Sequence, residues 1–372
     1  MVAETGAKVL VIGAGFAGAV VARECAETGH HVTVVDRAPW PGGAASDTTR
    51  NGFRINRCGA HFFNTSNDRV LTWLSRFTCW LPYEHRGKSR LPDGTLVPFP
   101  LNTDSLSILR TRGHDTEPRQ ATSRTRPART AREVLAERLG PDVIELFFAR
   151  YVRKMWDMSL DELPADVMRR VQVRDSTEDR YFPNASFQAL PSDGYDAMFR
   201  RMLDHPRIAA HFRTPFAPEM ERDHDHVFSS MSIDEYFGYC EGTLGYRSMQ
   251  FETVPACRTS PGGAATVNRT DTSPVTRETH WHHVPWNSAV PNGLAMFEHP
   301  RDWRDLGGDR HYPVMTVDGR HDRMYRKYKA LAAREAPWVT FIGRCGTYRY
   351  LNMDQVVMQS LQTARKWLAD RA

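Results

Sequence analysis

The sequence predicts an α/β fold in which a Rossmann-like dinucleotide-binding domain is joined to a small helical domain and an antiparallel β-sheet domain. Three observations predict it: a strand, glycine turn, helix and strand over 8–36, helical periodicity over 134–156, and Thr, aromatic and β-branched residues broken by prolines over 246–312.

The N-terminal unit organises the rest. Val9-Leu10-Val11-Ile12 is an apolar run, Gly13-Ala14-Gly15-Phe16-Ala17-Gly18 follows, and a helical segment leads to Val32-Thr33-Val34-Val35, closed by Asp36. Gly13 suits a tight turn, Gly15 lets the backbone approach a pyrophosphate, and Gly18 lets the helix pack on the strand. Asp36, about 20 residues beyond the glycines, suits a ribose hydroxyl. Phosphates would lie at the helix N-terminus beside Phe16, where unpaired N–H groups and the dipole favour anions. GxGxxG alone is a weak signal, and a glycine-rich turn in an ordinary βαβ unit is the competing reading; the complete context favours a dinucleotide. After Arg37, Pro41-Gly42-Gly43-Ala44 offers a glycine pair where the chain can pass close to a second part of a long cofactor, which favours FAD over NAD. The same residues also read as a plain loop.

At 372 residues the chain has room for two or three domains and a sizeable core. Its net charge of +5 fits an anionic ligand, but no recognition motif accompanies it, which argues against nucleic acid. Six scattered cysteines lack metal-ligand spacing and read as reduced structural residues, with no metal expected. The apolar stretch 9–22 is too short and glycine-rich to span a membrane and no signal peptide precedes it, so a cytoplasmic enzyme is expected.

Beyond the glycine pair, Phe53-Arg54-Ile55 reads as a short strand leading to Gly59-Ala60-His61, where the histidine either lies against a flavin ring or is a satisfied structural residue. Residues 91–100 carry Asp93-Gly94 between apolar flanks and read as a hairpin. Seven arginines fall in 110–132 with almost no large apolar residues, which reads as a loop or solvated insertion more than an anion-binding arm. Val134, Leu135, Leu139, Val143, Ile144, Phe147 and Phe148 then resume helical spacing towards Tyr151 and Trp156. Residues 228–239 read as strand then helix. A buried strand at 339–342 and one helical face from Met353 to Leu368 would return to the N-terminal domain, bringing Arg344 to the cofactor.

No hydrolase, zincin, P-loop or kinase pattern is present. Arginine beside aromatic recurs instead: Tyr151 with Trp156, Arg170 with Arg174 and Tyr181, Tyr246-Arg247, Thr276-Arg277, His311-Tyr312 and Tyr348-Arg349-Tyr350. Arginines grip diphosphates and aromatic faces stack bases and sugars, so a nucleotide-sugar substrate is the natural reading, against surface charges that happen to adjoin core aromatics.

The block from Gly343 to Val356 resembles the C-terminal signature of the UDP-galactopyranose mutase family. Gly59-Ala60-His61, Ile233-Asp234-Glu235-Tyr236-Phe237, Tyr246-Arg247-Ser248, Phe251-Glu252-Thr253, Asn268 with Thr270-Asp271, and Tyr312-Pro313-Val314 resemble it too. The resemblance runs in order from Val9 to Leu361. It implies an FAD-binding Rossmann-like domain (1–82, 195–245 and 335–372), a helical domain (101–165) followed by a mobile loop, and a twisted antiparallel sheet carrying substrate residues (83–100, 166–194 and 246–334). It also implies a reaction without net redox change, in which N5 of reduced FAD attacks the anomeric carbon, the nucleoside diphosphate leaves, and the sugar recloses in the other ring size.

By the same resemblance Arg170 and Arg277 look like the arginines that hold the diphosphate, Arg170 on the mobile loop. Tyr181, Tyr312 and Tyr350 look like its hydrogen-bonding tyrosines, Phe147, Tyr151 and Trp156 like residues of the base and sugar cleft, and Arg247 and Arg344 like arginines near substrate and flavin. His61 and Met353 fall at flavin positions. The family often shows Asp at Asn352 and a second His at Asn64, so the sugar is different, for example a deoxyhexose, or the changes are neutral. Family members are often dimers. Two rival classes remain: an FAD oxidoreductase of the amine-oxidase or desaturase type, which has no need of paired diphosphate arginines, and a degenerate flavoprotein with a binding role.

Overall fold

Strand Lys8–Ile12 is the centre of a five-stranded, wholly parallel sheet ordered Ile208–Phe212, His31–Asp36, Lys8–Ile12, His226–Ser229, Val339–Phe341. The computed structural model that shows this describes residues 6–118, 127–169, 171–259 and 261–371. Its central strands are apolar runs because helices cover both faces, as parallel sheets require. Helix Phe16–Glu27 buries nine residues, among them Ala17, Gly18, Ala19, Ala22 and Ala26, and these small side chains let it lie close to the sheet and to helix Met353–Ala369. That closing helix buries Val357, Ser360, Leu361, Ala364 and Trp367 on one stripe. N- and C-terminal segments thus share one core with helix Tyr195–Leu203.

A second sheet has seven strands, ordered Tyr312–Pro313, Tyr246–Ala256, Gly293–Asp302, Arg277–His280, Thr266–Arg269, Gly87–Arg90, Leu96–Phe99. It is mixed: Thr266–Arg269 runs parallel to Gly87–Arg90, and every other pair is antiparallel. The expectation of an antiparallel sheet fails at that pair because the hairpin 87–99 arrives from far upstream and no tight turn dictates its direction. Its own turn holds at Asp93-Gly94, with Leu91 N–H donating to the Thr95 carbonyl at 2.8 Å.

The helical layer comprises Thr103–Thr111, Ala131–Ala136 and a run over 141–156 whose middle, Ile144–Ala149, is one π-helical turn. Thr130 Oγ1 accepts from the Glu133 N–H at 3.2 Å, capping the second of these helices. Leu135, Leu139 and Val152 share a core with Val97, Met249 and Val314, so the layer rests on the end of the seven-stranded sheet. Among the described residues, no helix is long and apolar enough to cross a membrane.

Two segments lie elsewhere than the predicted division puts them. Within 166–194, strand Phe187–Pro191 pairs with Phe63–Thr65 and Trp80–Pro82 in a separate three-stranded sheet, and Ala165–Met168 packs on Ala131–Ala136. Within 246–334, helix Arg320–Glu335 buries Tyr328, Leu331 and Ala332 beside Ile233–Tyr236, outside the sheet. Its short apolar stripe is diluted by charge on every other face, which hides a helix whose stability comes from that packing.

Candidate active site

The glycine turn is shaped by close approach. Gly13 takes φ +96°, and a Cβ there would lie 2.1 Å from Ser230 Oγ; a Cβ on Gly18 would lie 1.8 Å from the Gly13 carbonyl oxygen. Gly15 begins helix Phe16–Glu27 with no side-chain cap and no acid in the first turn, so its N–H groups face an open terminus. The Gly42 N–H donates to the Ala14 carbonyl at 2.9 Å, which lays the Gly42-Gly43 loop across that turn, with Ala44 exposed beyond it. Asp36 accepts from the N–H groups of Ala14 (2.7 Å) and Ala38 (2.8 Å), which aim its carboxylate at the turn and leave lone pairs for a hydroxyl. These residues fit a dinucleotide pyrophosphate. The Phe16 ring packs on Phe199 (4.7 Å) and Tyr195 (6.2 Å), which leaves its backbone to face the terminus. Arg37 lies at the rim, paired with Asp309 at 2.7 Å.

On the seven-stranded sheet Arg277 and Glu298 are direct cross-strand partners, with Nε donating to Oε1 at 2.9 Å. The Glu298 side chain is 4% exposed and Arg277 30%, so the acid is sealed beneath a guanidinium whose outer edge meets the cleft. Although burial opposes its charge, the neighbouring Glu298 raises the Arg277 pKa, and the cation is secure. Its field reaches Tyr151, Tyr181, Tyr312, His61 and His85, and Tyr350 acts on the first three. Burial holds Tyr151, Tyr181 and Tyr312 above the usual phenol range, Tyr312 at about 12, so all three carry a proton at neutral pH. Arg277 and three protonated phenols within reach of its charge thus lie together at this end of the sheet.

Tyr312 and Tyr350 stack at 5.8 Å and 17°, with the Arg344 guanidinium 5.2 and 5.1 Å from their centroids. Trp156, buried, sets its edge on Tyr312 at 6.3 Å, and Phe147 is buried in the π-helical turn. Arg344 and Arg247 both bond to backbone carbonyls. Arg344 donates to the carbonyls of Leu351 (2.6 Å) and His311 (3.1 Å), and Arg247 to those of Met155 (3.0 Å) and Lys154 (3.4 Å) at the end of helix Arg150–Trp156. A guanidinium there satisfies last-turn carbonyls and the negative end of the dipole. Asn352 is the exposed N-cap of Met353–Ala369, its N–H donating to Gln355 Oε1 at 2.9 Å, and Met353 is the first residue of that helix. Asn64 sits in strand Phe63–Thr65. Arg170, and with it the loop arginine expected on the diphosphate, lies outside the described residues, as does the 119–126 part of the arginine-rich stretch.

His61 Nδ1 is 2.9 Å from the Gly59 carbonyl, which makes Nδ1 the protonated nitrogen and leaves Nε2 as an acceptor. Burial, aided by Arg344, Arg277 and His311, lowers its pKa to about 4 and keeps the ring neutral. Two residues escape sequence reasoning, Glu298 and His85, while His311 was read only as the neighbour of Tyr312. His85 contacts Tyr83 Oη (3.0 Å) and Thr266 Oγ1 (2.8 Å) and lies 5.3 Å from the Tyr181 ring, while His311 Nδ1 meets Ser248 Oγ at 2.9 Å. Only strand register could have revealed Glu298.

Buried neutral histidines make the fold acid-sensitive. Burial lowers His85 to about 3 and His226 to about 4, and both side chains are nearly inaccessible. Below pH 6.5 the unfolded chain binds protons that the folded chain refuses, so stability is full above that pH and falls as pH drops towards 4, by about 1.4 kcal/mol per unit for each residue. The urea midpoint should therefore be lower at pH 5 than at pH 7, and His85→Gln should flatten that dependence; an unchanged slope would assign it to other groups.

Residues 146–350, more than half of the chain, match the family model described as UDP-galactopyranose mutase, and 11–77 match that of an NAD(P)-binding Rossmann-like domain. The chain is 31% identical over 376 residues to a probable UDP-galactopyranose mutase of Klebsiella pneumoniae, covering 98% of this chain and 95% of that one. It is 30% identical over 378 residues to a dTDP-fucopyranose mutase of Escherichia coli, covering 97% and 98%. A crystal structure of reduced UDP-galactopyranose mutase shares the fold, with a TM-score of 0.74 over 98% of this chain and 94% of that chain at 18% identity. Matched by a family model over more than half its length and by relatives across nearly all of it, this chain belongs to the UDP-galactopyranose mutase family and is a flavin-dependent isomerase.

Proposed function

We propose that the chain interconverts the pyranose and furanose forms of a nucleotide-linked hexose, UDP-galactose first among the candidates, with FAD in its reduced form. The observation that supports this reading is Arg277, seated on Glu298, with the protonated phenols of Tyr151, Tyr181 and Tyr312 within reach of its charge. A diphosphate is the ligand such a site suits, because a guanidinium and O–H donors strengthen their hydrogen bonds as negative charge develops on the departing group. When bound and reduced, the flavin supplies the nucleophile at N5 towards the anomeric carbon.

The remaining work belongs to the protein. Gly13, Gly15, Gly18, Gly43 and Ala44 give the backbone cradle for the cofactor pyrophosphate, and Asp36 takes a ribose hydroxyl. Arg277 grips the substrate diphosphate. Tyr151, Trp156 and Phe147 offer aromatic surface to the base and sugar, and neutral His61 presents Nε2 as an acceptor. Arg247 and Arg344 act by fixing the helix end and the Tyr312–Tyr350 stack.

A deoxyhexose on a dTDP carrier is the second reading, favoured by an amide at Asn352 and by the similarity to a dTDP-fucopyranose mutase. Anaerobic incubation of the dithionite-reduced protein with UDP-galactopyranose or dTDP-fucopyranose, with products separated by chromatography, tests both. Conversion that requires reduction is expected for one of them, and Asn352→Asp should shift kcat/KM towards galactose. Absence of conversion with either sugar would sink the proposal.

A further inference from the structure

The block formed by Asn268 and Thr270-Asp271 has no part in the chemistry so far, and it opens a turn that wraps one lysine. Lys154 Nζ donates to the carbonyls of Arg269 (2.8 Å), Val275 (2.8 Å) and Asp271 (3.2 Å), with the Asp271 carboxylate 3.9 Å away. An ammonium has three donors, and here all three are used on backbone oxygens of a single turn. The side chain is 10% exposed, and burial lowers its pKa to about 8, as expected for a cation held mainly by neutral dipoles. Arg150, one helical turn earlier, adds a bond to the Thr270 carbonyl at 3.2 Å. The turn is itself stiffened: Asp271 accepts from Arg269 Nε (2.9 Å) and from Ser273 Oγ (2.5 Å).

The two elements joined in this way each carry residues of the proposed substrate site. Helix Arg150–Trp156 bears Tyr151 and Trp156. The turn runs through Thr276, whose N–H donates to the Glu298 carbonyl at 3.0 Å, directly into Arg277. A shift of the turn against the helix therefore changes the spacing between the aromatic wall and the guanidinium, and a misplacement of about 1 Å is enough to cost binding or turnover heavily.

We propose that Lys154 is a positioning residue that sets the distance between the Tyr151–Trp156 wall and Arg277, and so governs affinity for the nucleotide diphosphate without touching it. The proposal rests on the reading of the cleft as a diphosphate site. The ammonium acts as a gauge because its three acceptors lie on a backbone turn, whereas a surface ion pair would tolerate movement.

The test compares wild type with Lys154→Met as flavin-loaded protein, using calorimetric titration with UDP and steady-state kinetics on the reduced enzyme. UDP affinity should fall and KM should rise by about tenfold or more, with kcat within about threefold and flavin content unchanged. Tyr151→Phe should weaken UDP binding in wild type and have little further effect in Lys154→Met, because the lysine acts through that wall. Arg150→Met removes the outer bond alone and should move affinity in the same direction by less, which provides the measurement if Lys154→Met fails to fold. Unchanged affinity in the variants, or full additivity with Tyr151→Phe, would overturn the positioning role while leaving the diphosphate site intact. A wild type that binds no UDP would overturn the functional reading, and this inference with it.

Discussion

Arg277→Ala is expected to lower kcat/KM by about a thousandfold and to destabilise the protein at the same time, for two separable reasons. The first, on the proposed diphosphate reading, is loss of the cation that would answer charge on the departing group; removal of a single preorganised donor of this kind costs about two to three orders of magnitude in rate. The second is the fate of Glu298, whose side chain is 4% exposed and whose Oε1 accepts the Arg277 Nε at 2.9 Å. Stripped of its partner, a buried carboxylate costs about 3–5 kcal/mol. Glu298→Gln in the Arg277→Ala background separates the effects: the urea midpoint should recover most of its loss while kcat/KM stays low. If activity returned with stability, Arg277 would be a structural residue and the diphosphate would bind elsewhere. Arg277→Lys should retain stability better than activity, since an ammonium pairs with Glu298 but cannot present a planar fork to a diphosphate.

Arg310→Met should produce the largest stability loss outside the cleft, about 3–5 kcal/mol, because it leaves the Asp234 carboxylate buried without the cation that pairs with it. Asp234 is fully buried and accepts from Ser232 Oγ (2.8 Å), the Leu244 N–H (2.9 Å) and Arg310 Nη1 (3.1 Å). Arg310 is 3% exposed, 4.0 Å from the Trp303 ring centroid, and donates to Tyr239 Oη at 3.0 Å. Such a pair is weak evidence of net stabilisation, yet breaking it from one side strands a charge. The urea midpoint of Arg310→Met should fall with an unchanged m-value, and Asp234→Asn added to it should recover part of the loss. Equal midpoints for wild type and Arg310→Met would mean that the aromatic cage alone holds this corner. The pair accounts for the Ile233-Asp234-Glu235-Tyr236-Phe237 block as an anchor of the segment that carries His311 and Tyr312.

The nucleotide-binding turn was legible because its signals are contiguous. Gly13, Gly15, Gly18 and Asp36 lie within one βαβ unit, so strand, turn and helix periodicities and the acid can be read together. The resemblance pointed to Arg277 and the tyrosines; in the structure the charge of Arg277 reaches Tyr151, Tyr181 and Tyr312, and Tyr350 stacks on Tyr312. Arginine beside aromatic proved an ambiguous signal: Arg344 does lie on the Tyr312–Tyr350 stack, but both it and Arg247 give hydrogen bonds to backbone carbonyls, because composition does not tell in which direction a long side chain points. The helix Arg320–Glu335 was missed because its apolar stripe is narrow, and the π-helical turn at Ile144–Ala149 because one added residue hardly disturbs a helical pattern.

The sequence by itself determined the parallel nucleotide-binding unit and the return of the last helix to it. Those features follow from local periodicity and from turn geometry that favours glycine. The tertiary structure alone decided that Arg277 sits on Glu298, that Lys154 fills the 269–275 turn, that Asp234 meets Arg310, and that one strand pair of the large sheet runs parallel. Each of these joins residues far apart in the chain through strand register or domain packing, and their energies come from burying charge beside charge or dipole, which exists only once the surrounding chain has excluded water.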